Sequence, residues 1–107
     1  MDKEKPKANV TPEKQEVKEG QPATFYCKIE GFPEPQIEWR RADGRPMRRD
    51  VRIEGNRLLI PDASMSDKTM YYCRATNTHG YAEATGSLEV SGTSYLLIGL
   101  RLIQLCV

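Results

Sequence analysis

Histidine is almost missing from this chain: His79 is the only one in 107 residues. A catalytic triad needs a histidine between a nucleophile and a carboxylate, and nothing near His79 marks an activated serine. A metal centre needs three or four ligands, and no His/Cys cluster is present to supply them. There is no glycine-rich phosphate loop. Paired acids such as Glu30 and Glu34 fall at strand ends without a pocket. No enzyme and no cofactor are therefore expected. Charge of one sign is also missing. Sixteen basic and fifteen acidic residues nearly cancel, so bulk charge predicts neither a nucleic-acid partner nor membrane insertion. Cysteine is scarce and odd in number, at three. The opening Met1-Asp2-Lys3-Glu4-Lys5 is charged with no apolar run after it, so no signal peptide is expected there.

What is present is a series of short alternating runs between turn signals, the pattern of an all-β sandwich. Ala23, Phe25, Cys27 and Ile29 alternate with Thr24, Tyr26 and Lys28, which puts one face of that strand in a core. Gly31 to Pro35 breaks it. Ile37 and Trp39 then point inward. Asp43-Gly44 and Glu54-Gly55-Asn56 are turns around a short edge strand at Val51 and Ile53. Leu58 and Ile60 return to the core. Asn77 to Gly80 reads as a hairpin tip, with Ala82, Ala84, Gly86, Leu88 and Val90 sharing a face on the last strand. Residues 1–8 read as a charged lead-in, 9–91 as one domain, and 92–107 as an apolar tail. One domain of ordinary size fills the length.

The order of Cys27, Trp39 and Cys73 narrows the fold. The cysteines lie 46 positions apart and the tryptophan 12 after the first. Tyr71 sits two residues before the second, after Asp67. That arrangement suggests two facing sheets, bridged by the cysteines around the indole, with the tyrosine bonded to backbone at a corner. Together with Gly31-Phe32-Pro33-Glu34-Pro35, Leu58-Leu59-Ile60, Tyr71-Tyr72-Cys73 and Ala75-Thr76-Asn77 before Gly80, these residues resemble the intermediate (I) set of immunoglobulin domains over roughly Val10 to Val90. The resemblance implies an all-β, Greek-key, two-sheet antiparallel sandwich. Trp39 to Pro46 with Leu58 to Pro61 is most similar to the tandem repeats of basement-membrane heparan sulfate proteoglycans. Cys27 to Gly31 is also similar to muscle members of the set.

The resemblance implies a non-enzymatic interaction and spacer module of a secreted matrix or cell-surface protein, with other proteins as partners. The alternative is a cytoskeletal module of a muscle protein, in which Cys27 and Cys73 are a reduced buried pair, since the cytosol keeps thiols reduced. Trp39 and Tyr71 are expected to be structural. The set usually places glycine or alanine where Thr69 stands. A strained or rearranged turn over Asp67 to Met70 is therefore expected, with Thr69→Gly stabilising.

Two surface features stand out. Arg40, Arg41, Arg45, Arg48, Arg49, Arg52 and Arg57 fall within 18 residues, offset by Asp43, Asp50 and Glu54 alone. Such a face would attract heparan sulfate or an acidic protein, against the alternative of arginines paired with local acids. Asn9-Val10-Thr11 matches the N-glycosylation acceptor pattern at the domain's edge, against the alternative of a chance triplet, with Pro12 following immediately. The stretch Tyr95 to Val107, with the leftover Cys106, is too short for a bilayer span, which needs about 20 apolar residues. It reads as a self-association surface or as a non-native end on an otherwise monomeric domain.

Overall fold

The computed structural model describes residues 4–92. The apolar stretch Tyr95 to Val107, Cys106 included, lies outside them. Eight strands form two four-stranded sheets. The first sheet runs β1 (Glu4–Thr11), β3 (Ala23–Phe32), β6 (Arg57–Ile60), β5 (Arg52–Glu54). The second runs β2 (Lys14–Lys18), β8 (Gly80–Ser91), β7 (Thr69–Asn77), β4 (Gln36–Arg41). This is the expected immunoglobulin-like sandwich. All pairings are antiparallel except β2 with β8, which is parallel. The chain leaves the first sheet at Pro12, which has no N–H to give the ladder. Glu13 holds the crossing, its carbonyl accepting from the Ser87 amide at 2.8 Å.

The expected boundary after residue 8 falls inside β1. Glu4, Lys7 and Ala8 already pair with Phe32, Glu30 and Ile29 of β3. Pro6 and Val10 are buried and Ala8 packs against the core. An alternation of small apolar residues among lysines is easily taken for a charged lead-in. Pro6 is tolerated because β1 is an edge strand.

Between the sheets lie Phe25, Cys27, Leu58, Ile60, Cys73 and Leu88, each fully buried. Cys27 of β3 and Cys73 of β7 are joined by a disulfide, with Cα atoms 6.3 Å apart. Trp39 faces Cys73 in the β4–β7 pairing, and its indole N–H donates to the Gly55 carbonyl at 3.4 Å. Gly86 sits opposite Tyr71, where a Cβ would fall 2.7 Å from the Phe25 ring and 2.8 Å from Val10 Cγ1. Absence of a side chain there lets the Phe25 ring seat against β8.

The turn before β7 corrects the expectation for Thr69. Met65–Asp67 forms one 3-10 turn with a capping box: the Ser66 amide donates to Ser64 Oγ, and the Ser64 amide to the Asp67 carboxylate. Lys68 is extended at φ −70°, ψ 103°. Thr69 opens β7 opposite Leu88, where a β-branched residue suits the pleat.

Two outcomes follow for stability. Thr69→Gly is expected to cost roughly 1 kcal/mol by loosening a strand residue, so its urea midpoint should fall; a rise would restore the strained-turn account. Reducing the bridge releases the 46-residue separation in the unfolded chain, worth about 4 kcal/mol. The midpoint should drop steeply in dithiothreitol, and an unchanged midpoint would show that the link contributes nothing.

Candidate functional site

Tyr71 lies almost wholly buried on β7, and its hydroxyl donates to the Asp67 carbonyl at 2.7 Å. Its ring packs on Phe25 with centroids 5.9 Å apart. Burial pushes the phenol up to about 12, because desolvation disfavours the phenolate more than the Arg41 charge favours it. Beneath the corner, the buried Asp67 carboxylate accepts from Arg48 Nε at 2.9 and 3.1 Å and from the Ser64 amide at 2.8 Å. Arg41 Nη1 stands 3.8 Å away. Arg41 also forks onto Asp43, at 3.1 and 2.7 Å, and reaches the Ser66 carbonyl at 2.7 Å. That fork, joined by the Arg45 amide, holds the Asp43 carboxyl down at about 2.

These contacts sort the seven arginines into paired and unpaired groups. Arg41 is buried and faces the core side of β4. Arg48 is spent on Asp67, Asp50 and the Asp62 carbonyl. Arg40 pairs with Glu38 at 2.8 Å and Arg57 with Glu54 at 2.6 Å. Among the described residues, no ion pair engages Arg45, Arg49 or Arg52. The seven are also divided: Arg40 and Arg41 on β4 of one sheet, Arg52 and Arg57 on β5 and β6 of the other, and the rest on the crossing between. They do not form one open basic face. The window of 18 residues looked continuous because β4 and β5 edge different sheets joined by that crossing.

Sequence reasoning missed Asn77. Its amide nitrogen donates to the Glu4 and Pro33 carbonyls, both at 2.9 Å, and its oxygen accepts from the His79 amide at 2.8 Å. It ties the start of β1, the break after β3 and the β7–β8 hairpin. Gly31 comes within the same knot, at φ +149°, where a Cβ would meet Pro6 Cα at 3.2 Å. A lone asparagine before a hairpin carries no signal for partners 73 and 44 residues away. His79 serves here through its backbone alone. Among the described residues, no group of three or more His, Cys, Asp or Glu side chains could hold a metal.

The two outer faces differ. On the second sheet, register sets Arg40, Tyr72 and Thr85 in one row, Glu38, Arg74 and Glu83 in the next, and Gln36, Thr76 and Tyr81 in a third. The Arg74 guanidinium lies 3.8 Å from the Tyr81 ring centroid and 3.3 Å from Glu83. Tyr81 is 58% exposed. The first sheet presents Lys7, Asn9, Lys28 and Tyr26 around β1 and β3.

Residues 6–90 match the family described as Immunoglobulin I-set domain, and the chain belongs to it. Among its relatives is the mouse basement membrane-specific heparan sulfate proteoglycan core protein, 40% identical over 79 residues, which are 74% of this chain and 2% of that protein. Smooth-muscle myosin light chain kinase of chicken is 40% identical over 81 residues, 70% of this chain and 4% of that one. The full ectodomain of mouse nectin-like molecule 4, a solved structure, superposes with a TM-score of 0.75 at 30% identity, covering 82% of this chain and 31% of that one. The chain thus spans a small fraction of each relative. It is a non-enzymatic immunoglobulin module of the kind found in extracellular adhesion proteins. The proteoglycan is one of several comparable relatives. The buried bridge and this kinship assign the domain to an extracellular setting rather than the cytosol.

Alkaline titration tests the corner. A phenol whose folded value lies above its ordinary 10 contributes fully below pH 10. That contribution is lost as pH rises through about 12. Tyr71→Phe should cost about 1 kcal/mol near neutral pH by removing the bond to Asp67. It should also flatten the loss of stability above pH 10; an identical alkaline decline in both proteins would show that Tyr71 is not its source.

Proposed function

We propose that this domain is a rigid protein-contact and spacer unit of a multi-domain matrix or cell-surface protein. It touches its partner through the outer face of the β2–β8–β7–β4 sheet. The observation that carries this is the Arg74–Tyr81–Glu83 group: an exposed aromatic ring stacked under an arginine that is already held by a carboxylate. Tyrosine and arginine dominate the energetic centres of protein interfaces. Here their conformational freedom is partly removed beforehand, which lowers the entropic cost of contact. A sheet face with rows of both charge signs suits a protein surface of complementary pattern.

The kinase relative supports a cytoskeletal link instead, and the covalent bridge weighs against it, because cytosolic thiols stay reduced. A matrix role like that of the proteoglycan relative fits the same contact face. Heparan sulfate fits less well, because Arg41 is buried and Arg40, Arg48 and Arg57 are paired with acids. Retention on a heparin column should therefore end at or below physiological salt. Elution well above it would reinstate the basic face.

The decisive test displays the domain as tetramers on an array of secreted and cell-surface ectodomains, this chain included. A binder is expected for the parent domain and weakened at least about tenfold by Tyr81→Asp, the loss of a central contact. The melting temperature should fall only slightly, since an exposed strand tyrosine and its arginine contact are together worth about 1 kcal/mol. No binder at all, or equal binding by the variant, would overturn the assignment of this face.

A further inference from the structure

We infer that Asn9 carries an N-linked glycan when the chain is made in the secretory pathway, and that the sugar claims the outer face of the β1–β3 end of the first sheet. Asn9-Val10-Thr11 is the only Asn-X-Ser/Thr triplet in the sequence. The structure disposes it as an acceptor requires after folding. Val10 is 3% exposed and points into the core. Period two along a strand therefore turns Asn9 and Thr11 together to the outside, and both are exposed. β1 is the terminal strand of its sheet, so the side chain stands beside open solvent rather than amid a ladder. Its register partner is Lys28, itself exposed. The contrast with Asn77, whose amide is consumed by three hydrogen bonds, shows what a structurally committed asparagine looks like in this fold.

The transfer balances with a lipid-linked oligosaccharide as donor. The Asn9 amide nitrogen forms a bond to the anomeric carbon of the first sugar. The bond from that carbon to the lipid pyrophosphate breaks, one amide proton is released, and the lipid pyrophosphate leaves. The attached sugar occupies the solvent above Lys7 and Lys28, neighbours of Asn9 on β1 and β3. A bulky, hydrated group there bars a large partner from that part of the first sheet. Asn9 also lines a groove with Met70, Thr85 and Ser87 of β7 and β8, so the sugar covers that edge and leaves open the Arg74–Tyr81–Glu83 group toward the start of β8, which rests on and sharpens the contact face proposed above.

The test expresses the full chain behind a heterologous signal peptide in mammalian cells and measures intact mass before and after peptide N-glycosidase in heavy-oxygen water. The expected result is a glycan-sized loss of mass with a labelled aspartate at position 9. Asn9→Gln and Thr11→Ala should lose the glycan, and Thr11→Ser should keep it. An unchanged mass in the parent chain, or a shift that persists in Asn9→Gln, overturns the modification. Binding on the ectodomain array separates the second claim. Equal binding by the glycosylated chain and Asn9→Gln supports a contact face on the other sheet. Stronger binding by Asn9→Gln leaves the glycan standing and overturns its placement away from the partner.

Discussion

The sandwich depends on one covalent contact, the link between Cys27 of β3 and Cys73 of β7. Its two ends belong to interior strands, one in each sheet, and both sulfurs are fully buried. The apolar contacts between the sheets are dispersive and non-directional, and alone could slide. The bridge fixes which residues of β3 lie over which of β7. Trp39 follows because it faces Cys73 across the β4–β7 pairing. Phe25 follows because Gly86, opposite Tyr71, leaves room for its ring. A small domain buries only a modest share of its surface, so such a constraint weighs heavily in its margin of stability.

A second constraint is ionic and works differently. Burying Asp67 beside Arg41 and Arg48 costs desolvation, and such groups rarely improve stability over an apolar replacement of the same shape. What the cluster supplies is location. The carboxylate accepts from the Ser64 amide and from Arg48, while its own backbone carbonyl receives Tyr71. One residue thereby anchors the 3-10 turn, the crossing from β4 to β5, and β7. Removing only one partner would strand a buried charge, which is far costlier than never having had the pair. Arginines committed to this task are lost to the surface.

That is why the fold was readable from the residues and the surface was not. The alternation through Ala23 to Ile29, the Cys27–Trp39–Cys73 order and the tyrosine before Cys73 report local backbone period and a covalent partner. Each came out in the strands and contacts it implied. The partners of Arg41 and Arg48 were not readable because linear proximity says nothing of which acid a guanidinium meets, and Asp67 lies 26 positions from Arg41 and 19 from Arg48. Thr69 failed because the turn was assigned to it, whereas a capping box at Ser64 and Asp67 turns the chain earlier. β1 was cut short because Pro6 and Ala8 bury little apolar area and look like spacers between lysines.

The proposed division of labour between the sheets follows from their edges. The first sheet ends on β1, a strand that carries a buried proline at its third residue and is pinned at Glu4 by Asn77. Its outer face near β1 carries lysines and an exposed asparagine and holds no stacked aromatic group among the described residues. The second sheet carries Tyr81 held under Arg74, and its rows mix acids and bases at spacings that the β7–β8 register fixes rigidly. Recognition needs groups already in place, and of the two faces only that one has them. The same pairing that sets the core therefore also orders the proposed contact surface: shifting β7 by one residue against β8 would send Arg74 inward and Cys73 out, and the bridge forbids it.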